Sequence, residues 1–277
     1  MTLEQALQQG AELLEKEGIP TARLTAEVLL SHAIRQERPY LYAHSKDELT
    51  ELWWIHYGRY LHERLQGKPT QYITHRQEFY GRNFLVGPEV LIPRPETEHL
   101  VEAAIAAVHE QGHRRILDVG TGSGAIAISI ALELGLTVLA SDISTEALSV
   151  ALQNREALNA PVQFFASDLL EAVGRESLDL LVSNPPYVPA RDKANVQREV
   201  RDWEPEVALY GGEDGDEVYR RLIAQAAGVV RPAGQLMVEM GYRSLAQIRP
   251  ILAECWTNVS VIDDLAGLPR VLVAQRR

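Results

Sequence analysis

From Arg114 onward, short apolar runs alternate with helical patterns, and no other feature narrows the possible folds so far. Ile116-Leu117-Asp118-Val119 reads as a strand and Ala125 to Leu134 as a helix. Val138-Leu139-Ala140-Ser141 is a strand, followed by a helix from Thr145 to Leu158. Val162 to Ala166 and Leu178 to Val182 are further strands; the second is apolar except for Asp179, as expected of a parallel strand covered on both faces. A helix from Asp216 to Val229 and a strand from Gln235 to Met240 come next. The chain then offers a helix, Leu245–Glu254, and two strand candidates, Val259–Ile262 and Arg270–Ala274. This alternation predicts an α/β fold with an open, doubly wound, mostly parallel sheet.

Residues 1 to 74 have a different character. Leu3, Ala6, Leu7, Ala11, Leu13 and Leu14 make one apolar stripe, and Thr25 to Ile34 another. A third helix is expected to open at Asp47-Glu48-Leu49 and to run through Trp53, Trp54, Tyr57 and Leu61, an aromatic stripe read as core or interface. These residues form an expected all-α N-terminal domain, 1–74. Residues 75–94 are expected to form a β-hairpin linker, with strands at Glu78–Val86 and Val90–Pro93 around Gly87-Pro88. Pro95, with Glu96 and Glu98 in the first turn, marks a helix start, so the third segment spans 95–277.

The formal charge of −11 bears on partners. Proteins that grip nucleic acid present a basic face to phosphates. Here residues 1–74 carry 8 Lys/Arg against 10 Asp/Glu, and the remainder 19 against 28. Stable nucleic-acid binding is therefore not expected; a basic protein partner fits better. The longest uncharged stretch, Val119 to Leu132, is too short to span a bilayer. Acidic residues among Met1–Gly18 argue against a targeting peptide, and the single Cys255 against a disulfide framework. A cytoplasmic protein without a membrane or metal role is the expectation.

Between the first strand and its helix lies Asp118-Val119-Gly120-Thr121-Gly122-Ser123-Gly124. Glycine permits a tight turn and close backbone approach to a ligand at a helix N-terminus. The G-x-G-x-G spacing departs from the dinucleotide G-x-G-x-x-G and suits a cofactor without a pyrophosphate. Asp142, at the end of the second strand, is placed to bind both ribose hydroxyls or to cap the helix after Ser144. Asp168, after the third strand, either faces an adenine or caps a helix. Asp118 either lines the far end of the cofactor or orients the loop.

After the fourth strand comes Ser183-Asn184-Pro185-Pro186-Tyr187-Val188-Pro189. Ligands of open α/β sheets bind beyond the carboxyl ends of the strands, so this loop faces the same crevice as Gly120–Gly124. An amide nitrogen is a poor nucleophile because its lone pair is delocalised into the carbonyl. It does present two N–H donors, which the Asn184 side-chain oxygen and a backbone carbonyl, such as that of Pro185, can accept. The prolines hold φ near −65° and remove competing donors. Tyr187 can stack on a planar group and exclude water.

Asn-Pro-Pro-Tyr in this position is shared with class I methyltransferases that act on adenine amino groups and glutamine side chains. Further segments follow in order. Leu91-Ile92-Pro93-Arg94-Pro95-Glu96-Thr97-Glu98 precedes the glycine loop. Glu204-Pro205, Ala208-Leu209, Gly211-Gly212-Glu213-Asp214-Gly215 and Tyr219-Arg220 follow Asn184–Val188. Together with the helical N-terminus, the whole chain resembles the release-factor glutamine methyltransferases called HemK or PrmC. The resemblance implies a Rossmann-like class I methyltransferase fold, S-adenosylmethionine as cofactor, and class-1 peptide chain release factors as substrates, methylated on the glutamine of their Gly-Gly-Gln motif. It implies that Gly120, Thr121, Gly122, Ser123, Gly124, Asp142, Asp168, Leu169 and Asn184 line the cofactor. Asn184, Pro185, Pro186 and Tyr187 would hold the glutamine. Two positions depart from the family pattern: Leu169 stands where a large aromatic is frequent, and Asp216 where Leu is usual. Arg94 and Glu96 serve either structure or chemistry. The rival substrates are a ribosomal-protein glutamine and, for the same loop chemistry, an adenine-N6 or guanine-N2 of nucleic acid.

Overall fold

The computed structural model describes residues 1–241, 244–252 and 254–277. The chain forms two compact units, one of residues 1–76 with 197–203, the other of 77–196 with 204–277.

The first unit is helical: α1 (Leu3–Lys16), α2 (Ala22–Ile34), α3 (Arg38–Ala43), α4 (Glu51–Leu65) and α5 (Thr70–Thr74). Thr2 starts α1 with a capping box, its side chain accepting from Gln5 N–H while Gln5 Oε1 accepts the Thr2 N–H at 3.0 Å. The third expected helix begins later than Asp47, because Thr50 supplies the N-cap hydroxyl that accepts from Trp53 N–H. Leu7, Leu14, Leu29, Leu30, Leu41, Tyr57 and Leu61 form its core, whereas Leu52, Trp54 and Ile55 on α4 remain exposed. Segment 197–203 also belongs to this unit; Arg64 Nη2 pairs with Glu199 at 2.5 Å, and Arg198 donates to the Gln66 carbonyl at 3.2 Å.

In the second unit, β1 (Arg76–Phe79) and β2 (Arg82–Leu85) make the hairpin. Its turn is Tyr80-Gly81, at φ +50° and +67°, and not Gly87-Pro88; two successive left-handed residues form the tight turn whose twist matches paired strands. The expected strand at Val90–Pro93 is absent, and Phe79 and Phe84 anchor the hairpin in the core. A short 3₁₀ turn, Pro95–Thr97, leads into α6 (Glu98–Gln111).

The rest alternates as the pattern requires: β3 (Ile116–Val119), α7 (Ala125–Leu134), β4 (Val138–Asp142), α8 (Thr145–Leu158), β5 (Val162–Ala166) and β6 (Leu178–Ser183). Short helices α9 (Arg198–Trp203) and α10 (Glu206–Leu209) precede α11 (Glu217–Val229), β7 (Val230–Glu239), α12 (Leu245–Ile248), β8 (Trp256–Asp263) and β9 (Pro269–Arg276). The expected helix 245–254 breaks into α12 and a 3₁₀ turn over Arg249–Leu252, and its residue Ala253 lies outside the described residues.

The seven strands lie in the order β5-β4-β3-β6-β7-β9-β8. Five are parallel and β9 runs antiparallel to β7 and β8. Alternate strand residues face opposite layers. Ile116, Leu180, Val182 and Met237 pack with α6, α7 and the hairpin, while Leu117, Leu181, Leu236 and Val238 pack with α11. The order reverses between β3 and β6, which makes the gap beyond their carboxyl ends the topological switch point, where open sheets bind ligands.

Candidate active site

Val119 and Ser183 are register partners on β3 and β6, so the glycine loop and the Asn184 loop leave the sheet side by side. The buried Ser183 hydroxyl donates to the Val119 carbonyl at 2.7 Å and ties the two exits together.

The glycine loop is held from below. Gly120 N–H and Thr121 N–H both donate to the Ser141 carbonyl, at 2.8 and 3.0 Å. Gly120 and Gly122 adopt φ of +71° and +56°, and a Cβ at either would meet no atom within 4 Å. Both therefore border open space that a ligand can fill. Gly124 differs: at φ +83° a Cβ would press on Ile128 at 3.0 Å and on Ala151 and Phe164 at 3.3 Å, so this glycine serves helix packing. Asn154, buried on α8, locks the loop to the hairpin by donating to the carbonyls of Ser123 and Leu85 and accepting from Leu85 N–H at 2.6 Å. Sequence reasoning missed this residue, since one Asn inside a helix carries no local signal.

Two acids flank the loop. Asp142 accepts from Gly122 N–H at 2.8 Å and from Ser144 N–H at 2.9 Å, which leaves each oxygen a further lone pair for a hydroxyl. Burial raises its pKa, against the pull of these bonds. The cap of α8 itself is the Ser144 hydroxyl, and Asp142 braces the turn before it through Ser144 N–H. Asp118 is fully buried, accepts from the Thr121 hydroxyl at 2.6 Å through Oδ2, and among the described residues has no partner for Oδ1. Burial pushes its pKa up to about 7, with Thr121 opposing. An unpaired buried carboxylate oxygen is costly, so Asp118 Oδ1 is an acceptor in want of a donor.

Asp168 instead pairs with Arg221 Nη2 at 2.7 Å, and Leu169, at φ +50°, packs with the core layer beside α11.

The Asn184 loop is braced by the chain that follows it. Val188 N–H donates to the Leu209 carbonyl at 2.9 Å, Gly211 N–H to the Val188 carbonyl at 3.1 Å, and Ala190 N–H to the Gly212 carbonyl at 2.9 Å. Gly211 and Gly215 permit the approach: a Cβ would stand 2.5 Å from the Pro186 carbonyl oxygen at the first and 2.6 Å from that of Tyr187 at the second. The Gly211–Gly215 segment, whose role the sequence left open, thus backs the loop. Asp216 pairs with Arg220 at 2.6 Å. Pro185 is buried, and Pro186 and Tyr187 are partly so. Burial, then Glu239, pushes the Tyr187 hydroxyl up to about 12, so it stays protonated at neutral pH. Its ring packs against Gly241, where a Cβ would meet Cδ2 at 3.0 Å.

Asn184 donates through Nδ2 to Thr97 Oγ1 at 3.2 Å, leaving Oδ1 as an acceptor. Arg94 pairs with the buried Glu204 at 2.5 Å, and Glu204 also accepts from Ile92 N–H at 3.3 Å, so Arg94 secures the approach to α6; Glu96 is exposed. Sequence reasoning missed Thr97 and Glu239 as neighbours of the site. A carboxylate ending a central parallel strand was the available signal for Glu239.

The glycine loop on one strand and Asn184 on its neighbour thus share one end of the sheet, and comparison with known proteins narrows what this arrangement serves. The PrmC N-terminal domain model matches residues 5–74 and the methyltransferase small domain model residues 97–201. The release factor glutamine methyltransferase of Koribacter versatilis is 44% identical over 279 residues, covering 100% of this chain and 99% of that protein. The chain belongs to the release factor glutamine methyltransferase family. The Moorella thermoacetica member is 40% identical, with 100% and 99% covered, and the Nitratidesulfovibrio vulgaris member 38%, with 99% and 95% covered. Among solved structures, a methyltransferase from Pyrococcus furiosus aligns with a TM-score of 0.54 at 18% identity over 71% of this chain and 90% of its own. The Thermus thermophilus 16S rRNA N2 G1207 methyltransferase, solved with AdoMet and guanosine, aligns at 0.52 and 20% identity over 73% of this chain and 50% of its own. Both likenesses concern the fold.

Proposed function

We propose that this enzyme transfers a methyl group from S-adenosylmethionine to the side-chain amide nitrogen of the Gly-Gly-Gln glutamine in class-1 peptide chain release factors. The observation that carries the proposal is the register of Val119 with Ser183, which puts an open glycine loop and Asn184 at one switch point, in a chain whose full-length relatives are named for this activity.

The residues present fit the cofactor: Gly120 and Gly122 border open space, Asp142 keeps lone pairs for ribose hydroxyls, and Asp118 offers a buried, unpaired Oδ1 to a donor such as an ammonium. S-adenosylmethionine, when bound, supplies an electrophilic methyl group. Everything else is the work of the chain. Asn184 Oδ1 and the Pro185 carbonyl each accept one N–H of the glutamine amide, which fixes the nitrogen and draws electron density onto it. Tyr187, protonated and backed by Gly241, covers the amide plane and excludes water. No strong base is required if the proton leaves after transfer, and positioning of this kind can lower a barrier by roughly 7–11 kcal/mol.

Labelled S-adenosylmethionine incubated with the enzyme and purified release factor, ribosomal protein or DNA tests the assignment. Label on the release factor is expected; label confined to either of the others refutes it.

A further inference from the structure

Thr97 closes the 3₁₀ turn Pro95–Thr97 and, with helical φ and ψ of −68° and −17°, runs straight into α6, so its hydroxyl is not committed to a helix cap. It makes no cap bond, although the residue is buried. Its oxygen receives the Asn184 Nδ2–H at 3.2 Å instead, and its hydroxyl lies against the Glu239 carboxylate. Glu239 ends β7, the neighbour of β6 from which Asn184 emerges, with Ser183 paired to Val238 one step before. Glu239 is 2% exposed, and among the described residues its Oε2 has no hydrogen-bond partner. A buried carboxylate left half-satisfied is unfavourable, which points to a use at this site.

That use follows from donor and acceptor counts. A primary amide is two-faced: rotation by half a turn exchanges its acceptor for its donors. Asn184 is productive in one orientation only, because the substrate nitrogen brings N–H donors. An ionised carboxylate only accepts, so the single Thr97 proton is directed to Glu239 and the Thr97 oxygen is left to accept. The Asn184 NH₂ must then face Thr97, and its oxygen must face the cleft. We infer that Thr97 and Glu239 set the polarity of the Asn184 amide, and are positioning residues for the methyl-accepting nitrogen. Burial pushes Glu239 up to about 7, while Thr97, Arg270 and Arg94 favour the ionised form and Glu96 opposes it. The relay therefore operates on the alkaline side of that value. The inference rests on Asn184 being the acceptor proposed above.

The test compares Thr97→Val, which keeps the shape and removes the hydroxyl, with Thr97→Ser, which restores it, and with Glu239→Gln, whose NH₂ can reverse the relay. Release-factor methylation is followed at alkaline pH, with cofactor affinity measured by calorimetry. Thr97→Val and Glu239→Gln should each lower kcat about ten-fold or more, the loss of one net hydrogen bond to the reacting group. KM for the release factor and the cofactor Kd should stay at their wild-type values, and Thr97→Ser should recover most of kcat. Wild-type kcat in Thr97→Val, or no recovery in Thr97→Ser, overturns the inference. If Thr97→Val loses cofactor binding through misfolding, Glu239→Gln decides by the same criterion. Asn184→Ala in the same assay separates the two claims. Loss of turnover there beside normal Thr97→Val refutes only the relay, whereas normal turnover in Asn184→Ala refutes the acceptor role and the relay with it.

Discussion

Replacing Gly215 by Ala should cripple catalysis while sparing cofactor binding. Gly215 sits at φ +80°, and an added Cβ would stand 2.6 Å from the Tyr187 carbonyl oxygen and 3.0 Å from the Pro189 nitrogen. The left-handed backbone alone costs an L-residue about 1–2 kcal/mol. Relief of the clash needs a movement of roughly 0.5–1 Å, given that non-bonded atoms settle near 3.5 Å, and such crowding costs about 1–3 kcal/mol more. The sum, about 2–5 kcal/mol, corresponds to a fall in Tm of roughly 3–9 °C for a chain of this size. Tyr187 and Pro186 must move with the strain, and a displacement near 1 Å lowers the rate by about 10²-fold. The Gly120–Gly124 loop takes its support from Ser141, Asp142 and Asn154, none of which touches Gly215. Single-turnover methylation of release factor, calorimetry with S-adenosylmethionine and a melting curve read the three quantities. A folded Gly215→Ala enzyme with wild-type kcat would show that the Gly211–Gly215 segment does not hold the catalytic loop.

Gly122→Ala should have the complementary effect, because a Cβ there meets no protein atom but enters the open space beside Asp142; cofactor affinity should fall at least ten-fold with little change in Tm beyond the backbone cost of about 1–2 kcal/mol, as calorimetry and melting will show. Asp179 accepts from Arg114 and Arg115 N–H and from the side chains of Arg115 and Arg231; burial pushes its pKa up, but these bonds outweigh it and hold the carboxyl well below the usual range. Its contribution is therefore present above the ordinary carboxylate pKa and disappears as pH falls through the depressed value. Asp179→Asn should cost about 2–4 kcal/mol at neutral pH, less than a fully buried pair because both guanidinium groups are partly exposed, and the deficit against wild type should shrink in acid melts. Gly10→Ala should destabilise the helical unit by about 1–3 kcal/mol, since a Cβ would lie 1.9 Å from the hydroxyl of the fully buried Tyr57; an unchanged urea midpoint would contradict the packing described.

The sheet was legible because its signal is spread over many residues. The parallel strands are short, largely apolar segments, most of them separated by helices, and Leu178–Val182, buried on both faces, stands out among them. The approach of Gly120–Gly124 to Asn184 was legible too, since chain order and strand polarity place both loops at one end. What escaped depends on single residues or on distant partners. Tyr80 at positive φ hid the hairpin turn, because an aromatic is an unusual occupant of such a position. Segment 197–203 joins the helical unit through Glu199 and Arg198, whose partners lie about 130 residues away. Thr97 passed unnoticed within the helix start at Pro95; only its hydrogen bonds show that its hydroxyl meets Asn184.

The central claim is that the methyl group reaches one amide nitrogen, held by Asn184. The most direct measurement is fragmentation mass spectrometry of release factor after reaction with this enzyme and S-adenosylmethionine. The account predicts a single added methyl on the side-chain nitrogen of the Gly-Gly-Gln glutamine, absent when Asn184→Ala enzyme is used. A methyl on any other residue, or full modification by the Asn184→Ala enzyme, would contradict it.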